Sequence, residues 1–501
     1  MTVWQNPEFV RHVRADLRLT RAITVAVIAL VICGLVGLSC WGAADDVIEF
    51  FQLLHYWLVG IQFTVLGFWC ASACGQAISR ERELKTFDFL RTTRLTAWDL
   101  IAGKIFGAPV TAYFAVGCTI PISVLAGLLG AISPVKILGV YVLLAAFTLF
   151  VGVLALWVSM LLEKSNTGVP ILVMLMPVGV GYAFSSSPFS GFSAISMLPA
   201  LFALYDVRSS SPQITPTLFG LPASYLLLTL LLYVTFGAWF ALMLVRGLKK
   251  ERQEIRLLSH WQAIGFVAFL NVLYYAFLDP KRLLALGSGA FNSFGPREAA
   301  QMAILFNAGV LFLVGLAMIG SREKLRVWWR RWKARQESYL SGDGLVWPWI
   351  AVGAAVAYGL LAAEVFGEQA AIPVHDWRLG VAGVVFLEIL VFVVRDVLFI
   401  QWCTLIMKKR PVFIGFLFLS LYYVAAGIVA SVAGLASRKA GSLILGLLSP
   451  WQMMGLENVG FAQAHPSYIG LALQAGVVVV LVTAITRRLR RSPALVPAAS
   501  S

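Results

Sequence analysis

The sequence predicts an all-α polytopic membrane protein of about twelve transmembrane helices in two pseudo-repeated six-helix halves, with an amphipathic interface helix at its front and short re-entrant helices on the outer side. Three observations predict it: an excess of apolar over charged residues, twelve apolar windows near spanning length, and an order of loop lengths that occurs twice. Of 501 residues, 60% are hydrophobic and 13% charged, and the mean hydropathy is +0.85. A soluble domain carries about 25% charged residues, so this composition excludes a soluble enzyme.

The windows are 22–41, 54–77, 105–131, 137–162, 168–185, 222–245, 261–278, 302–320, 345–366, 379–394, 411–436 and 467–486. A spanning helix needs about 20 apolar residues. Inside lipid the backbone must satisfy its own hydrogen bonds, so long unbroken apolar runs mean helices; barrel strands would alternate over about 10 residues. The first window, AITVAVIALVICGLVGLSCW, has no charge and no A-x-A site after it, so it reads as a retained helix rather than a cleaved leader. The window 379–394 is the shortest, and its extension to Met407 would put Arg395 and Asp396 at membrane depth.

Basic residues accumulate in cytoplasmic loops. With the N-terminus inside, the inside segments 1–21, 78–104, 163–167, 246–260, 321–344, 395–410 and 487–501 hold 31 of the 39 Lys and Arg residues. That asymmetry predicts a multi-pass protein of the plasma (inner) membrane with both termini cytoplasmic. It also accounts for the net charge of +15 by basic loops facing anionic lipid, with no nucleic-acid partner.

The six cysteines, Cys33, Cys40, Cys70, Cys74, Cys118 and Cys403, lie in apolar windows and read as packing residues. Cys70 and Cys74 share a helix face, but no His or carboxylate beside them completes a metal set. His12, His55, His260, His375 and His465 are scattered, and the chain has no H-E-x-x-H, G-x-S-x-G or phosphate-loop motif. The sequence therefore predicts no catalytic residues, no metal and no cofactor bound by this chain.

The loop order divides the chain into halves 1–246 and 247–501. Each half runs from a basic stretch through two spans, a long basic inside loop, two spans, an inside connection, one span, a long outside segment and a last span. Topological repeats of this kind are common in transporters. In the outside segments, 190–206 and 440–455 are apolar, too short to span and broken by Pro199 and Pro450, which reads as re-entrant or interfacial helices.

Two stretches carry more than topology. In NPEFVRHVRADLRLTR, Asn6 and Pro7 make a helix start. Val10, Val13 and Leu17 then share one face and Arg11, Arg14 and Arg18 another, so an amphipathic interface helix is expected over 6–21. The loop 78–104, ISRERELKTFDFLRTTRLTAWDLIAGK, interleaves Arg80, Glu81, Arg82, Glu83, Lys85, Asp88 and Arg91 with apolar Leu84, Phe87 and Leu90. A positive-inside loop needs only Lys and Arg; carboxylates and apolar anchors suit either a docking surface or a solvated loop. Thr96 before Ala97, Trp98 and Asp99 predicts a second helix start.

The run Glu81-Arg82-Glu83-Leu84-Lys85-Thr86-Phe87-Asp88, with Leu90, then Leu95-Thr96-Ala97-Trp98 and Gly103-Lys104, resembles the cytoplasmic loop of the permeases of type-2 ABC exporters, the ABC-2 family. That loop reads E-R-E-x-G-T-hydrophobic-D/E-x-L, then T-P-L-S, then Gly-Lys. The opening Asn6-Pro7 with Arg11 and Arg14 is similar to the family's interface helix. Lys85 stands where the family has Gly, and Thr93-Arg94-Leu95-Thr96 where it has T-P-L-S. The resemblance covers 1–246; the second half keeps a similar Leu448-Ser449-Pro450, but its loop REKLRVWWRRWKARQES is basic and tryptophan-rich and lacks the signature.

The resemblance implies a transport permease, not itself an enzyme, that exports a substrate while a separate ABC ATPase subunit binds ATP and docks on the 78–104 loop. The coupling residues it implies are Arg80, Glu81, Arg82, Glu83, Thr86, Phe87, Asp88, Leu90, Trp98 and Lys104, with Asn6, Pro7, Arg11, Arg14 and Arg18 on the interface helix. It leaves open the substrate and whether one chain or a homodimer forms the pathway. Intramembrane charge is a functional candidate by default, which selects Glu388 in VVFLEILVF, with Arg395 and Asp396 beside it. The alternative class is an ion-gradient-driven secondary transporter. A membrane-embedded enzyme would need a clustered His/Asp/Glu site.

Overall fold

The chain begins with a short helix, α1 (Pro7–Asp16), started as its sequence dictates: Asn6 is the N-cap and its side chain accepts the Glu8 N–H. The computed structural model describes residues 5–86, 95–161, 173, 175, 177–180, 190–206, 216–219, 221–249, 258–277, 296–320, 322–339, 344–367, 379–407, 411–437, 441, 444, 447–449 and 468–490. The interface helix is shorter than the 6–21 expected. The backbone leaves helical geometry at Leu17, and Arg18 is the extended N-cap of the next helix, so Arg18 belongs to the hinge and not to α1.

Two compact units follow, Met1–Lys250 with Ala276–Pro280 and Glu251–Tyr275 with Lys281–Ser501. The first holds α2 (Leu19–Trp41), α3 (Val47–Glu83), α4 (Ala97–Gly107), α5 (Val110–Leu129) and α6 (Pro134–Leu161). A 3-10 turn (Ser190–Ile195), α7 (Met197–Leu204), a hairpin pairing β1 (Thr217–Leu218) with β2 (Leu221–Pro222), and α8 (Tyr225–Lys249) complete it. α3 is the inner helix, packed on α5 and α6, while α8 lies on α6, α2 on α5 and α1 on α4.

The chain continues with α9 (His260–Phe277), α10 (Pro296–Met318), α11 (Arg322–Lys333), α12 (Trp347–Gly367), α13 (Leu379–Ile406), α14 (Pro411–Ala436) and α15 (Tyr468–Arg490). α13 is the inner helix of the second unit, packed on α10, α12, α14 and α15.

Among the described residues eight helices are long and apolar enough to cross a membrane: α2, α3, α5, α6, α8, α13, α14 and α15. The protein is an all-α multi-pass membrane protein. Most residues of the apolar stretch of α13 are buried, while few of those in α2, α14 and α15 are; the exposed Leu, Ile and Val side chains of the outer helices are what lipid contact requires. The windows 261–278, 302–320 and 345–366 are helical as α9, α10 and α12, but these do not pass as spans singly; α10 bends by 82° into α11. Most of the window 168–185 lies outside the described residues, as do Phe87, Asp88 and Leu90 of the 78–104 loop and Pro450.

α3 differs from its window at both ends. Its 37 residues span about 55 Å at about 1.5 Å per residue, against a hydrocarbon core of about 30 Å. It therefore carries Arg80, Glu81, Arg82 and Glu83 on a helical extension rather than a loop. The stop is a Schellman motif: Lys85 N–H bonds to Arg82 O and Thr86 N–H to Glu81 O, with Lys85 left-handed at φ 56°.

Candidate functional site

Residues expected to couple the loop to the N-terminal helix meet in one ionic cluster. Lys104, on α4, is only 1% exposed. Its Nζ donates to Glu81 Oε1 at 2.6 Å and to Glu8 Oε1 at 3.3 Å. Arg11 Nη2 donates to the same two oxygens, at 2.7 Å to Glu8 and 3.2 Å to Glu81. Two cations and two carboxylates from α1, α3 and α4 thus close a cycle. It is dry at Lys104 and Glu8 and open at Arg11, whose side chain is 54% exposed.

The local chemistry explains how three helices come this close. Glycines at i and i+4 of α4 form a trough: a Cβ on Gly103 would lie 2.7 Å from Glu8 Cβ, and one on Gly107 would lie 3.0 Å from the His12 ring. Glu8 and His12, also i and i+4, fill that trough. Asn6 Nδ2 donates to the Asp99 carbonyl at 2.5 Å, so the residue that caps α1 also ties it to the first turn of α4. That turn has its own capping box between Thr96 and Asp99.

Electrostatics favour the charged state. Burial would push the Glu8 carboxyl up, but the His12 ring, with Nε2 3.6 Å from Oε1, and the charges of Lys104 and Arg11 pull it from its ordinary 4.5 to about 2. The second oxygen of Glu81, Oε2, is buried without a hydrogen-bond partner among the described residues, so the cluster is incompletely satisfied on the α3 side.

The other expected coupling residues surround this cycle. Arg82 Nη1 donates to Met160 O at 2.6 Å, a cation on the last turn of α6. Thr86 Oγ1 donates to Glu81 O. Arg80, Glu83, Arg14 and Trp98 face outward, Trp98 at 57% exposure. Glu8 was not singled out from the sequence; the signal available was a carboxylate two residues after the cap, one turn before Arg11 and His12. A cleft of about 480 Å³ is lined by Asp16 at the end of α1, Thr20, Arg21 and Thr24 of α2, Trp69 of α3 and Thr111 of α5.

The intramembrane candidates separate. Arg395 and Asp396 are each 6% exposed and paired, Nη2 to Oδ1 at 2.7 Å. Arg395 also donates to Gln474 Oε1 at 2.7 Å, Tyr423 Oη at 2.9 Å and Tyr422 Oη at 3.3 Å. Tyr423 Oη donates onward to Asp396 Oδ2, Tyr422 Oη to Leu448 O and Gln474 Nε2 to Leu447 O. The guanidinium lies over the Phe392 ring at 4.8 Å. The pair is thus fully engaged and ties α13, α14, α15 and residues 447–448 together. Glu388 is half-buried two turns earlier on the same side of α13 as Arg395, at i and i+7, and has no part in this network.

The sequence also gave no sign of a polar knot in the first unit. His55, fully buried, meets the Ser123 carbonyl through Nδ1 at 2.8 Å and the Tyr205 hydroxyl through Nε2 at 2.9 Å. A carbonyl only accepts, so Nδ1 carries the proton and Nε2 takes the Tyr205 proton. This neutral histidine fixes the end of α7 against α3 and α5. Against known proteins no family model matches the chain, and neither a curated protein nor a solved structure does.

Proposed function

We propose that this chain is the permease subunit of an ATP-driven exporter of the type-2 class, with about twelve spans in two pseudo-repeated halves, in the plasma (inner) membrane with both termini cytoplasmic. A separate ABC ATPase subunit binds ATP and docks on residues 78–104; this chain hydrolyses nothing. The observation that carries the reading is Lys104, buried between Glu8 of α1 and Glu81 of α3. Of the residues on which the family resemblance rests, Asn6, Arg11, Glu81, Gly103 and Lys104 come from three separate stretches of sequence and meet at this cluster.

That arrangement suits transmission of force. A partner that binds one state of the loop more tightly than another shifts the population of that state. Helix α3 runs unbroken from the loop into the membrane interior, and α1 is clasped to it and to α4, so a push at Glu83 or Trp98 is delivered to three helices at once. Rigid-body rocking of packed helices is the resulting motion.

The test is co-purification from native membrane through a tag on this chain. An ABC ATPase is expected to accompany it and to be lost in Glu83→Arg with Asp88→Arg. The secondary-transporter reading keeps one specific support, Glu388, a half-buried carboxylate in α13 with no hydrogen bond or ion pair among the described residues. Recovery of no ATPase, with transport that follows a proton or sodium gradient and fails in Glu388→Gln, would replace the exporter reading by that one.

A further inference from the structure

Helix α11 has a different chemistry from α1. Its twelve residues, REKLRVWWRRWK, hold six cations and one carboxylate. Leu325, Trp328 and Trp329 are buried. Trp328 stacks on Trp332 with centroids 6.0 Å apart and donates its indole N–H to Ser338 O, so the apolar face is anchored by a rigid aromatic cluster. The helix turns 82° away from α10. If α10 runs across the bilayer, α11 lies nearly in its plane, at the depth where amphipathic aromatic and basic side chains gather.

Arg322, Arg326 and Arg330 recur at i, i+4 and i+8 and so form one stripe along α11. The last turn of α15 carries Arg487, Arg488 and Arg490. Arg326 feels the positive charges of Arg322, Arg488 and Arg330 against the single carboxylate of Glu323. The charge of Arg488 on α15 is felt at Arg326, so the stripe of three guanidinium groups on α11 has further positive charge near it and Glu323 as the single carboxylate of its own helix. Like charges so arranged repel, and Arg322 Nε is buried with no hydrogen-bond partner among the described residues. A phosphodiester would supply what is missing: negative charge and oxygens spaced for the guanidinium fork.

We propose that Arg322, Arg326 and Arg330 of α11 with Arg488 of α15 form a seat for the headgroup of an anionic phospholipid, drawn from the leaflet on which α11 lies. The seat serves to hold the ends of α11 and α15 at the membrane surface, and it does not depend on whether the protein works with an ATPase.

The full-length chain in nonionic detergent is titrated with short-chain phosphatidylglycerol or, separately, phosphatidylcholine, and retained lipid is counted by native mass spectrometry. The parent is expected to retain phosphatidylglycerol at least about tenfold more tightly than phosphatidylcholine, a difference of about 1.4 kcal/mol. Arg326→Gln with Arg488→Gln should weaken phosphatidylglycerol about tenfold and leave phosphatidylcholine unchanged. Arg331→Gln with Arg335→Gln removes the same charge from exposed positions off the stripe and should change neither. Should the first pair not yield monodisperse protein, Arg330→Gln alone, at an exposed position, is expected to cost about threefold. Equal retention of the two lipids by the parent, or equal loss in the stripe and off-stripe pairs, overturns the proposal and leaves only general attraction between basic loops and acidic membranes.

Discussion

Replacing Lys104 by Met keeps the length and helix propensity of the side chain but removes its charge. Two carboxylates, Glu8 at 3% and Glu81 at 11% side-chain exposure, would then face each other with only Arg11 between them. Removing one partner of a buried ion pair costs about 3–5 kcal/mol. Arg11 still bridges both acids from the solvent side, so the low end, about 3 kcal/mol, applies. The loss falls on the docking of α1, because ten residues cannot hold a helix in isolation. At about 1.4 kcal/mol per tenfold, the opening of α1 becomes more frequent by roughly a hundredfold. Hydrogen–deuterium exchange of peptides covering residues 7–16 reads this directly, with α5 and α6 as internal controls. Adding Glu8→Gln and Glu81→Gln to Lys104→Met should restore part of the protection, since the one charge that remains, Arg11, is half in solvent. Exchange of α1 within about threefold of the parent would refute the claim that this cluster holds the helix.

The same cluster sets a pH window. The Glu8 carboxyl is lowered in the folded chain to about 2, so its contribution is fully present above about 4.5 and is lost as pH falls toward 2; at about 1.4 kcal/mol for each tenfold that is up to about 3 kcal/mol, an upper bound because the Arg11 end is screened by water. A spin label at Ala15→Cys should therefore become mobile between pH 5 and 2.5, and loosening on the alkaline side instead would contradict the assignment. Lys85→Gly should raise the thermal midpoint, by up to about 1 kcal/mol of relieved left-handed strain, while Lys85→Val should lower it; a lower midpoint for the glycine variant counts against the Schellman stop. Arg395→Leu strands Asp396 in the interior and should destabilise the second unit by about 3–5 kcal/mol; Arg395→Lys should rescue little, because an ammonium cannot serve Asp396, Gln474 and both tyrosines from one plane. Limited proteolysis of α13–α15 measures both, and a parent-like digestion of Arg395→Leu would show the network to be dispensable.

Local signals were legible because they rest on chemistry within a few residues. Asn6 before Pro7 and Thr96 before Asp99 announce helix starts, and both side chains cap as their types dictate. The end of α3 was not legible, since the left-handed position that punctuates it is Lys85 rather than glycine, and the helix therefore ran silently into what read as loop. Tertiary pairing was the other gap. Glu81 and Lys104 lie 23 positions apart and Glu8 and Lys104 lie 96 apart; helical periodicity assigns each a face but not the helix it meets. The reciprocal amide pair of Asn271 and Asn307, 36 positions apart in two apolar helices, is hidden for the same reason. Membrane depth for Arg395 and Asp396 followed only from extending an apolar window past two charges, a step that composition discourages and that α13 nevertheless takes, because a ring of tyrosine, glutamine and phenylalanine side chains replaces water around the pair.

The two buried charge clusters differ in a way that bears on mechanism. Around Arg395 the polar hydrogens pass from guanidinium to Gln474 and the tyrosines and on to the Leu447 and Leu448 carbonyls, so a displaced helix would break several bonds at once. Such a network is suited to being a fixed strut. The cluster at Lys104 is built to different rules. One of its cations is half in solvent, and one carboxylate oxygen of Glu81 has no hydrogen-bond partner among the described residues. Its two cations each contact both acids, so Arg11 can release Glu81 while Lys104 keeps hold of it. A joint with redundant contacts and a solvent-facing edge can be loosened stepwise by a partner pressing on the adjoining loop, whereas a saturated one resists until it fails. On energetic grounds movement in this chain should therefore begin at α1 and the end of α3, with α13 and its neighbours as the rigid frame of their own unit.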